Sequence, residues 1–582
     1  MFFRAKAKPV HDSLSDQFQH EISPTHQAKT RLILVITFLM ICYFAVVMRL
    51  TDLTLLQGRP DIVAVKETDD IVPLKAPLRG VITDRNGELM ATSLKMASVY
   101  INPSMVDNPA QLADDILKIL PEQNKADLVK KLSSDKKFVW LQRDITPRQE
   151  YALNALGNPA INFQEEDRRI YPAGNLTSHL LGYTDVDGHG IAGIEKKFDD
   201  VLIKGDMPIR LTIDLRLQHI MHRELSEAVK KFSADGGVGM IADVNTGEIL
   251  SLVSLPDFDP HHPGNAPDVS KFNRATLGVF EMGSTFKLFS TAAALDSGRI
   301  NFNSAYDARQ PIKYGRFTIS DYHAKNRVMT VPEIFMYSSN IGTARMAQEL
   351  GTKGLHDFYQ KAGFFDPAPI EVSERGSPLY PKPWRDISTL TTSFGHGIAV
   401  SPVHLVRAAS ALVNGGILVT PTLIAKEGAG NLEPQGPRII KPETSERVRD
   451  LMELVVDAGT GSQAKVDGYT VGGKTGTAEK NVNGHYVHSS VMSSFIGVYP
   501  MENPRYAVLA IVDSPHPIAE THGYVTGGWT AAPVVGHVIE QMAPLYQIAP
   551  SLDTGRDIVK TMAPYVKDLK EGNSVASAGN DH

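Results

Sequence analysis

Two β-hairpins, separated by well over 200 residues of chain, constrain the C-terminal half more than any other feature. The first is GVGMIADVNTGEILSLVSLP, two apolar strand-like runs around Asn245-Thr246-Gly247. The second is VMSSFIGVYP followed by RYAVLAIVDS, turning at Met501-Glu502-Asn503-Pro504. Mostly helical sequence lies between them, and LRLQHIMHRELSEAVKKF precedes them with apolar residues at Leu217, Ile220, Met221, Leu225 and Val229, one face of a helix. Strands from both ends of one segment with helices between them predict an α+β domain, an antiparallel sheet covered by helices, over residues 214–548.

At 582 residues the chain is too long for one core, so further modules are required. Leu32 to Met48 is an uncharged apolar run bracketed by Arg31 and Arg49. As a helix it spans about 26 Å, close to the roughly 30 Å hydrocarbon core of a bilayer once the arginines snorkel. No small-x-small cleavage site comes after it, which favours a retained transmembrane helix at 32–50 over a signal peptide. Arg4, Lys6, Lys8, Lys29 and Arg31 precede it and only Arg59 and Lys66 come closely after, so residues 1–31 are expected as a cytoplasmic tail and the remainder is exported. Residues 51–213 hold no recognisable catalytic cluster. LRGVITDRNGELMATS reads as two strands around a turn, and 105–158 as helical from the spacing of Leu112, Ile116, Leu117 and Leu120. This segment is expected to be an elongated, non-catalytic pedestal. Residues 549–582 read as a flexible tail. A net charge of −6 argues against nucleic acid as a partner, and one cysteine, Cys42, inside the apolar run, permits neither an internal disulfide nor a thiolate cluster.

Chemistry concentrates in three short motifs. Ser284 stands at the mouth of a predicted helix with Lys287 one turn inside, so amine and hydroxyl share a face beside the free N–H groups of the helix N-terminus. Ser-x-x-Lys alone is weak, since it recurs at Ser133, Ser134 and Ser462. Two partner motifs, placed in order downstream, distinguish Ser284 from those copies. Ser338-Ser339-Asn340 is the only Ser-x-Asn, and Lys474-Thr475-Gly476-Thr477 contains the only Lys-Thr-Gly. Thr330-Val331-Pro332-Glu333 is a capping box opening one short helix and IGTARMAQELG opens another, which puts Ser338–Asn340 in a turn facing a cleft. YTVGGKTGTAE reads as a strand in which Gly476 would let a substrate backbone come close. The same stretch satisfies the phosphate-loop pattern Gly-x4-Gly-Lys-Thr from Gly468 to Thr475, but no helical period succeeds the lysine. His261-His262 and His485/His488 lack a carboxylate at ligand spacing and read as solvated.

The ordered trio, with LRGVITDRNG, RRIYPAGNLTSHLLGYTDVDGHGIAGIEKKFD, SERGSPLYPKPWRDI, TTSFGHGIAVSPVHL and GGKTGTAEK, resembles the division-specific class B penicillin-binding proteins from the apolar run to about residue 545. The resemblance implies an N-terminal transmembrane helix, a pedestal of dimerisation type and a transpeptidase domain in the bacterial inner membrane, with catalysis in the periplasm at the division septum. It implies a serine D,D-transpeptidase that cross-links peptidoglycan stem peptides ending in D-Ala-D-Ala, without glycosyltransferase activity, metal or organic cofactor. Carried over, Ser284 is the acylated nucleophile and Lys287 its base, kept neutral by Lys474. Ser338 relays a proton to the leaving amine, and Asn340 holds the substrate amide. Thr475 and Thr477 bind the substrate carboxylate, and the N–H groups of Ser284 and Thr477 form the oxyanion hole. Met282 stands where relatives often carry proline. β-Lactams are expected inhibitors, and a membrane glycosyltransferase and other division proteins the expected partners. A D,D-carboxypeptidase, a β-lactam sensor and a non-catalytic division scaffold are the rival readings.

Overall fold

The computed structural model describes residues 36–37, 39–48, 79–205, 207–315, 317–426, 433–482, 485–550 and 557–570. The expected cytoplasmic tail, most of the linker after the apolar run and the last residues of the chain lie outside these. Residues 39–48 are helical, with Leu39, Met40, Ile41, Tyr43 and Phe44 all exposed. Among the described residues no helix is long and apolar enough to cross a membrane, and both ends of the expected span at 32–50 lie outside them.

The first module is built on a long strand. β1 (Ile82–Thr83) turns back into β2 (Leu89–Ile101) through a loop in which the Asp84 carboxylate accepts the N–H groups of Asn86 and Glu88. Helices α1 (Pro109–Ile119) and α2 (Lys125–Leu132) come next, capped by Asn108 and Asn124. The helical expectation for 105–158 fails at β3 (Val139–Ile145), where VWLQRDI pairs antiparallel with β2; its β-branched and aromatic residues suit a half-buried sheet surface better than a helix. α3 (Pro147–Asn154) and β4 (Ile161–Ile170), which pairs with β2, complete this part, and β5 (Ile209–Arg210) runs parallel to β1. A separate apolar core fills the outer end, around Val99, Ile116, Leu128, Leu141 and Leu153. At the inner end Glu195, fully buried, is held by Arg79 and Arg169, each at 2.7 Å, while Arg79 also reaches Asp199 at 2.7 Å. Two guanidiniums on one buried carboxylate satisfy the charge that burial would otherwise penalise. The apolar core of this base (Ile82, Met90, Leu180, Ile194) is continuous with that of the C-terminal domain, so residue 213 divides a shared core.

In the C-terminal domain α4 (Leu215–Lys231) leads into β6 (Gly236–Asp243) and β7 (Ile249–Leu255), the first predicted hairpin. Helices α5 (Phe286–Asp296), α6 (Val331–Met336), α7 (Asn340–Leu350) and α8 (Pro442–Ala458) belong to the intervening sequence. β8 (Gly472–Val482), β9 (His485–Tyr499) and β10 (Tyr506–Asp513) come after them, and α9 (Gly527–Leu545) ends the domain. The sheet order is β8-β9-β10-β6-β7, antiparallel throughout, so the two distant hairpins meet at the β10–β6 pair. Alternate residues of β10 enter different cores. Ala507, Leu509 and Ile511 join one with α5 and α8; Tyr506, Val508, Ala510 and Val512 join the other with α4 and α9. Helices thus cover both faces, which explains why these strands read as near-continuous apolar runs.

The C-terminal tail departs from expectation. α10 (Ile558–Met562) and α11 (Lys567–Lys570) pack onto the domain, with Ile558, Met562 and Val566 buried in the main core. Only a few apolar positions in a short polar stretch make this contact, too few for a periodic signal.

Candidate active site

Ser284 lies in a tight turn (Gly283–Thr285) immediately ahead of α5. Gly283 has φ +52°, a left-handed conformation that costs glycine nothing. A Cβ there would also meet the Thr477 carbonyl oxygen at 2.4 Å. α5 is buried on every side from Phe286 to Leu295. Lys287 is therefore wholly buried. Its Nζ donates to Ser284 Oγ at 3.0 Å, to Ser338 Oγ at 3.1 Å, and to the Ser338 carbonyl. Lys474, equally buried, donates to the same Ser338 Oγ at 3.1 Å and to the Thr475 carbonyl at 3.1 Å. Ser284, Lys287, Ser338 and Lys474 thus form one hydrogen-bonded chain of atoms.

Burial dominates the electrostatics. It pushes the Lys287 ammonium well below the usual lysine range, the neighbouring Lys474 cation pushes it further, and only Asp321 opposes them. Burial alone brings Lys474 down to about 7. A neutral amine beside a serine hydroxyl can take its proton, which a normal lysine at neutral pH cannot.

The middle motif stands between α6 and α7. Thr330 and Glu333 form the expected capping box of α6, and Ser339 caps α7 by accepting the Gly342 N–H at 2.9 Å. Ser338 between them has φ +59°, a conformation costly to a residue with a side chain and kept only where neighbours over-determine it. Asp321 is one such neighbour, and no motif in the sequence marks it. Its carboxylate accepts the Ser339 hydroxyl at 2.7 Å and the Ile341 N–H at 2.9 Å. Asn340 opens α7 and donates its side-chain amide to the Ser320 carbonyl at 2.9 Å, so it is tied to the Ser320–Asp321 loop at the rim and not to the lysine pair.

β8 supplies the third wall as the terminal strand of the sheet. Gly476 is required by the fold itself. A Cβ at 476 would meet Ser494 Oγ at 2.4 Å and the Met282 carbonyl oxygen at 2.7 Å, so the turn carrying Ser284 already excludes a side chain there. Thr475 Oγ1 shares a hydrogen bond with Thr460 Oγ1 at 2.8 Å. Thr477 Oγ1 accepts the Gly527 N–H at 3.2 Å, which leaves its own proton to donate. A strand runs from Gly472 where a phosphate loop would need a helix after Lys474, which removes the nucleotide reading. The histidine pair is not simply solvated either. Asp259 holds His261 at 3.0 Å and His262 at 2.8 Å, and His261 Nε2 accepts the Tyr171 N–H at 3.0 Å. The side chain of His488 lies outside the described residues.

Comparison with known proteins identifies the family. The family model described as the penicillin binding protein transpeptidase domain matches residues 237–540, and that of the penicillin-binding protein dimerisation domain matches 74–207. The protein named "Probable peptidoglycan D,D-transpeptidase FtsI" of Caulobacter vibrioides is 39% identical over 80% of this chain and 81% of its own. "Probable peptidoglycan D,D-transpeptidase PenA" of Neisseria meningitidis is 34% identical over 83% of this chain and 87% of its own. Among solved structures, penicillin binding protein 3 of Mycobacterium tuberculosis, complexed with ampicillin, superposes with a TM-score of 0.66 at 23% identity, covering 83% of this chain and 98% of that one, which establishes the shared fold. A transpeptidase-domain match over half the chain, a dimerisation domain ahead of it and relatives of this identity lead to one assignment: the chain belongs to the class B penicillin-binding proteins, of the FtsI type.

Proposed function

We propose that this protein is a serine D,D-transpeptidase that cross-links peptidoglycan through an acyl-enzyme on Ser284. The observation that carries the reading is the position of the Lys287 amine, 3.0 Å from Ser284 Oγ and 3.1 Å from Ser338 Oγ. Neutral Lys287 takes the Ser284 proton as Oγ bonds to the carbonyl carbon of the penultimate D-Ala. The oxyanion faces the N–H groups of Ser284 and Thr477, whose segments are in backbone contact through Gly283. The Ser338 hydroxyl gives its proton to the leaving nitrogen, the C–N bond to the terminal D-Ala breaks, and Ser338 is reprotonated by the lysine pair. An acceptor amine from a second stem then attacks the ester, losing a proton to Lys287 and returning one to Ser284. Lys474, Thr475 and Thr477 receive the terminal carboxylate, with positive potential from the lysine and a hydroxyl proton from Thr477. Asn340, at the rim, meets the substrate amide with its carbonyl oxygen. A β-lactam takes the acylation half of the path and stops there. We further propose an inner-membrane anchor over 32–50, supported by the bare apolar side chains of 39–48, with the active site in the periplasm and a membrane glycosyltransferase and division proteins as partners.

The test is covalent labelling of the purified protein with a fluorescent penicillin. Wild type takes up one equivalent and Ser284→Ala none; full labelling of that variant would overturn the site. Ser284→Ala supplied to cells depleted of the native protein should fail to restore division, and recovery would leave only a scaffold role.

A further inference from the structure

The C-terminal segment 557–570 lies beyond the matched transpeptidase domain, which ends at 540, yet it grips the residue next to Ser338. The Tyr337 hydroxyl donates to the Asp568 carboxylate. Arg327 lies 2.8 Å from Glu333 and 3.6 Å from Asp568, joining helix α6 to the segment. Glu333 also accepts the Lys567 N–H at 2.7 Å, and the Thr330 hydroxyl donates to the Tyr565 carbonyl at 2.6 Å. Lys325 and Arg327 stand over the Tyr337 ring, 4.4 Å and 5.9 Å from its centre. These bonds span more than 200 residues of chain and are anchored by buried Ile558, Met562 and Val566.

All of them converge on the two ends of α6, whose last turn delivers Ser338 in its left-handed conformation. Asp321 fixes the chain after Ser338 through Ser339 and Ile341. Asp568 fixes the residue before it. Ser338 is thus held between two carboxylates, one supplied by its own loop and one by the C-terminal segment. Both its Oγ and its carbonyl bond Lys287, so a shift at Tyr337 moves two of the three partners of that amine.

We propose that the C-terminal segment is a positioning strap for the active site, in which Asp568 acts through Tyr337 to hold Ser338 in register with Lys287 and Lys474. The proposal rests on the acyl-transfer reading above. The strap touches no substrate; its contribution is geometric. A displacement of the order of 1 Å at a reacting group costs about 10²-fold in rate.

The experiment measures the rate of acylation by a fluorescent penicillin per titrated active site, on the full-length protein in detergent. Wild type, Tyr337→Phe, Asp568→Ala and the double variant are compared, with end-point labelling counting the folded sites. Each single variant is expected to acylate about 10- to 100-fold more slowly per site. The double variant should be no slower than the worse single, because both break one bond. Unchanged rates per site, or effects that multiply in the double variant, would overturn the strap. A loss of folded sites alone, at an unchanged rate, would mark the segment as structural and overturn it equally. If wild type itself were not labelled at Ser284, it is the acyl-transfer reading that fails; labelled wild type with equally fast variants sinks only the strap.

Discussion

Replacing Lys474 with glutamine should move the acid limb of the acylation profile to higher pH. Both amines donate to the same oxygen, Ser338 Oγ, each at 3.1 Å, so their nitrogens are at most about 6 Å apart. At an effective dielectric constant near 20, two unit charges at that distance repel by about 3 kcal/mol, equivalent to about 2 pH units. In wild type this repulsion adds to burial in favouring neutral Lys287. Glutamine keeps a hydrogen-bond donor but removes the charge, so Lys287 holds its proton to higher pH and less of it is available as base. The limb should therefore shift upward by about 2 units, about 6 Å being the widest separation these bonds allow.

The assay is the second-order rate of acylation by a fluorescent penicillin between pH 5 and 10. Loss of attraction for the ligand carboxylate lowers the profile without moving its acid limb, so the diagnostic is the position of that limb and not its height. Lys474→Arg keeps the charge and should leave the limb in place, whatever it does to the rate. In wild type the two amines titrate as a pair, so the limbs belong to the pair and not to one residue. A limb that stays put or moves to lower pH in Lys474→Gln would refute the electrostatic role assigned to Lys474.

Two further substitutions probe the same turn from other sides. Asp321→Asn removes the one group that favours the charged form of Lys287, so its acid limb should move to lower pH, opposite to Lys474→Gln, while the loosened Ser339 and Ile341 contacts slow acylation at every pH. An upward shift of that limb would contradict the assignment. Gly476→Ala forces a methyl to within 2.7 Å of the Met282 carbonyl oxygen, a backbone atom that can retreat only by moving the Ser284 turn. It should lower stability by about 1–3 kcal/mol in thermal unfolding and abolish labelling. Full labelling would show that the close approach is dispensable.

The legible parts of the fold and site rest on signals that are local or unique. The two hairpins announce themselves by apolar runs around turn residues, and the three motifs by their order along the chain. The capping box at Thr330 even locates the helix that precedes Ser338. The unread parts depend on contacts between distant segments. Asp321 lies in a short polar loop with no periodicity, and its carboxylate is recognisable only once Ser339 and Ile341 are seen to point their donors at it. The strap has the same character, since Asp568 and Tyr337 are unremarkable until folded together. β3 is legible in principle, because Val139, Trp140 and Leu141 favour a strand, but flanking helical periods mask seven residues.

Gly476 is demanded by the protein's own packing, and that packing bears on the proposed mechanism. Gly283, Gly395 and Gly476 all surround the nucleophile turn, and each lacks a side chain because another backbone occupies that volume. A Cβ on Gly283 meets the Thr477 carbonyl oxygen, one on Gly476 the Met282 carbonyl oxygen, and one on Gly395 the Gly283 carbonyl oxygen at 2.2 Å. The turn carrying Ser284 is therefore wedged between the sheet edge and the 395 loop by main chain on both sides. Main chain cannot rotate away as a side chain can, so the N–H groups of Ser284 and Thr477 are held in fixed relation before any substrate arrives. In the proposed mechanism these two groups are the oxyanion donors, and a preorganised pair costs no reorganisation when negative charge develops on the attacked oxygen. The lysines complete the arrangement from the other side. Burial removes the water that would keep their amines charged, and the same burial strengthens every remaining electrostatic contact at Ser338. On this reasoning Met282, buried and locked by its carbonyl bond to Thr285 Oγ1 at 2.8 Å, needs no proline to stiffen the turn. The neighbouring backbones already do so.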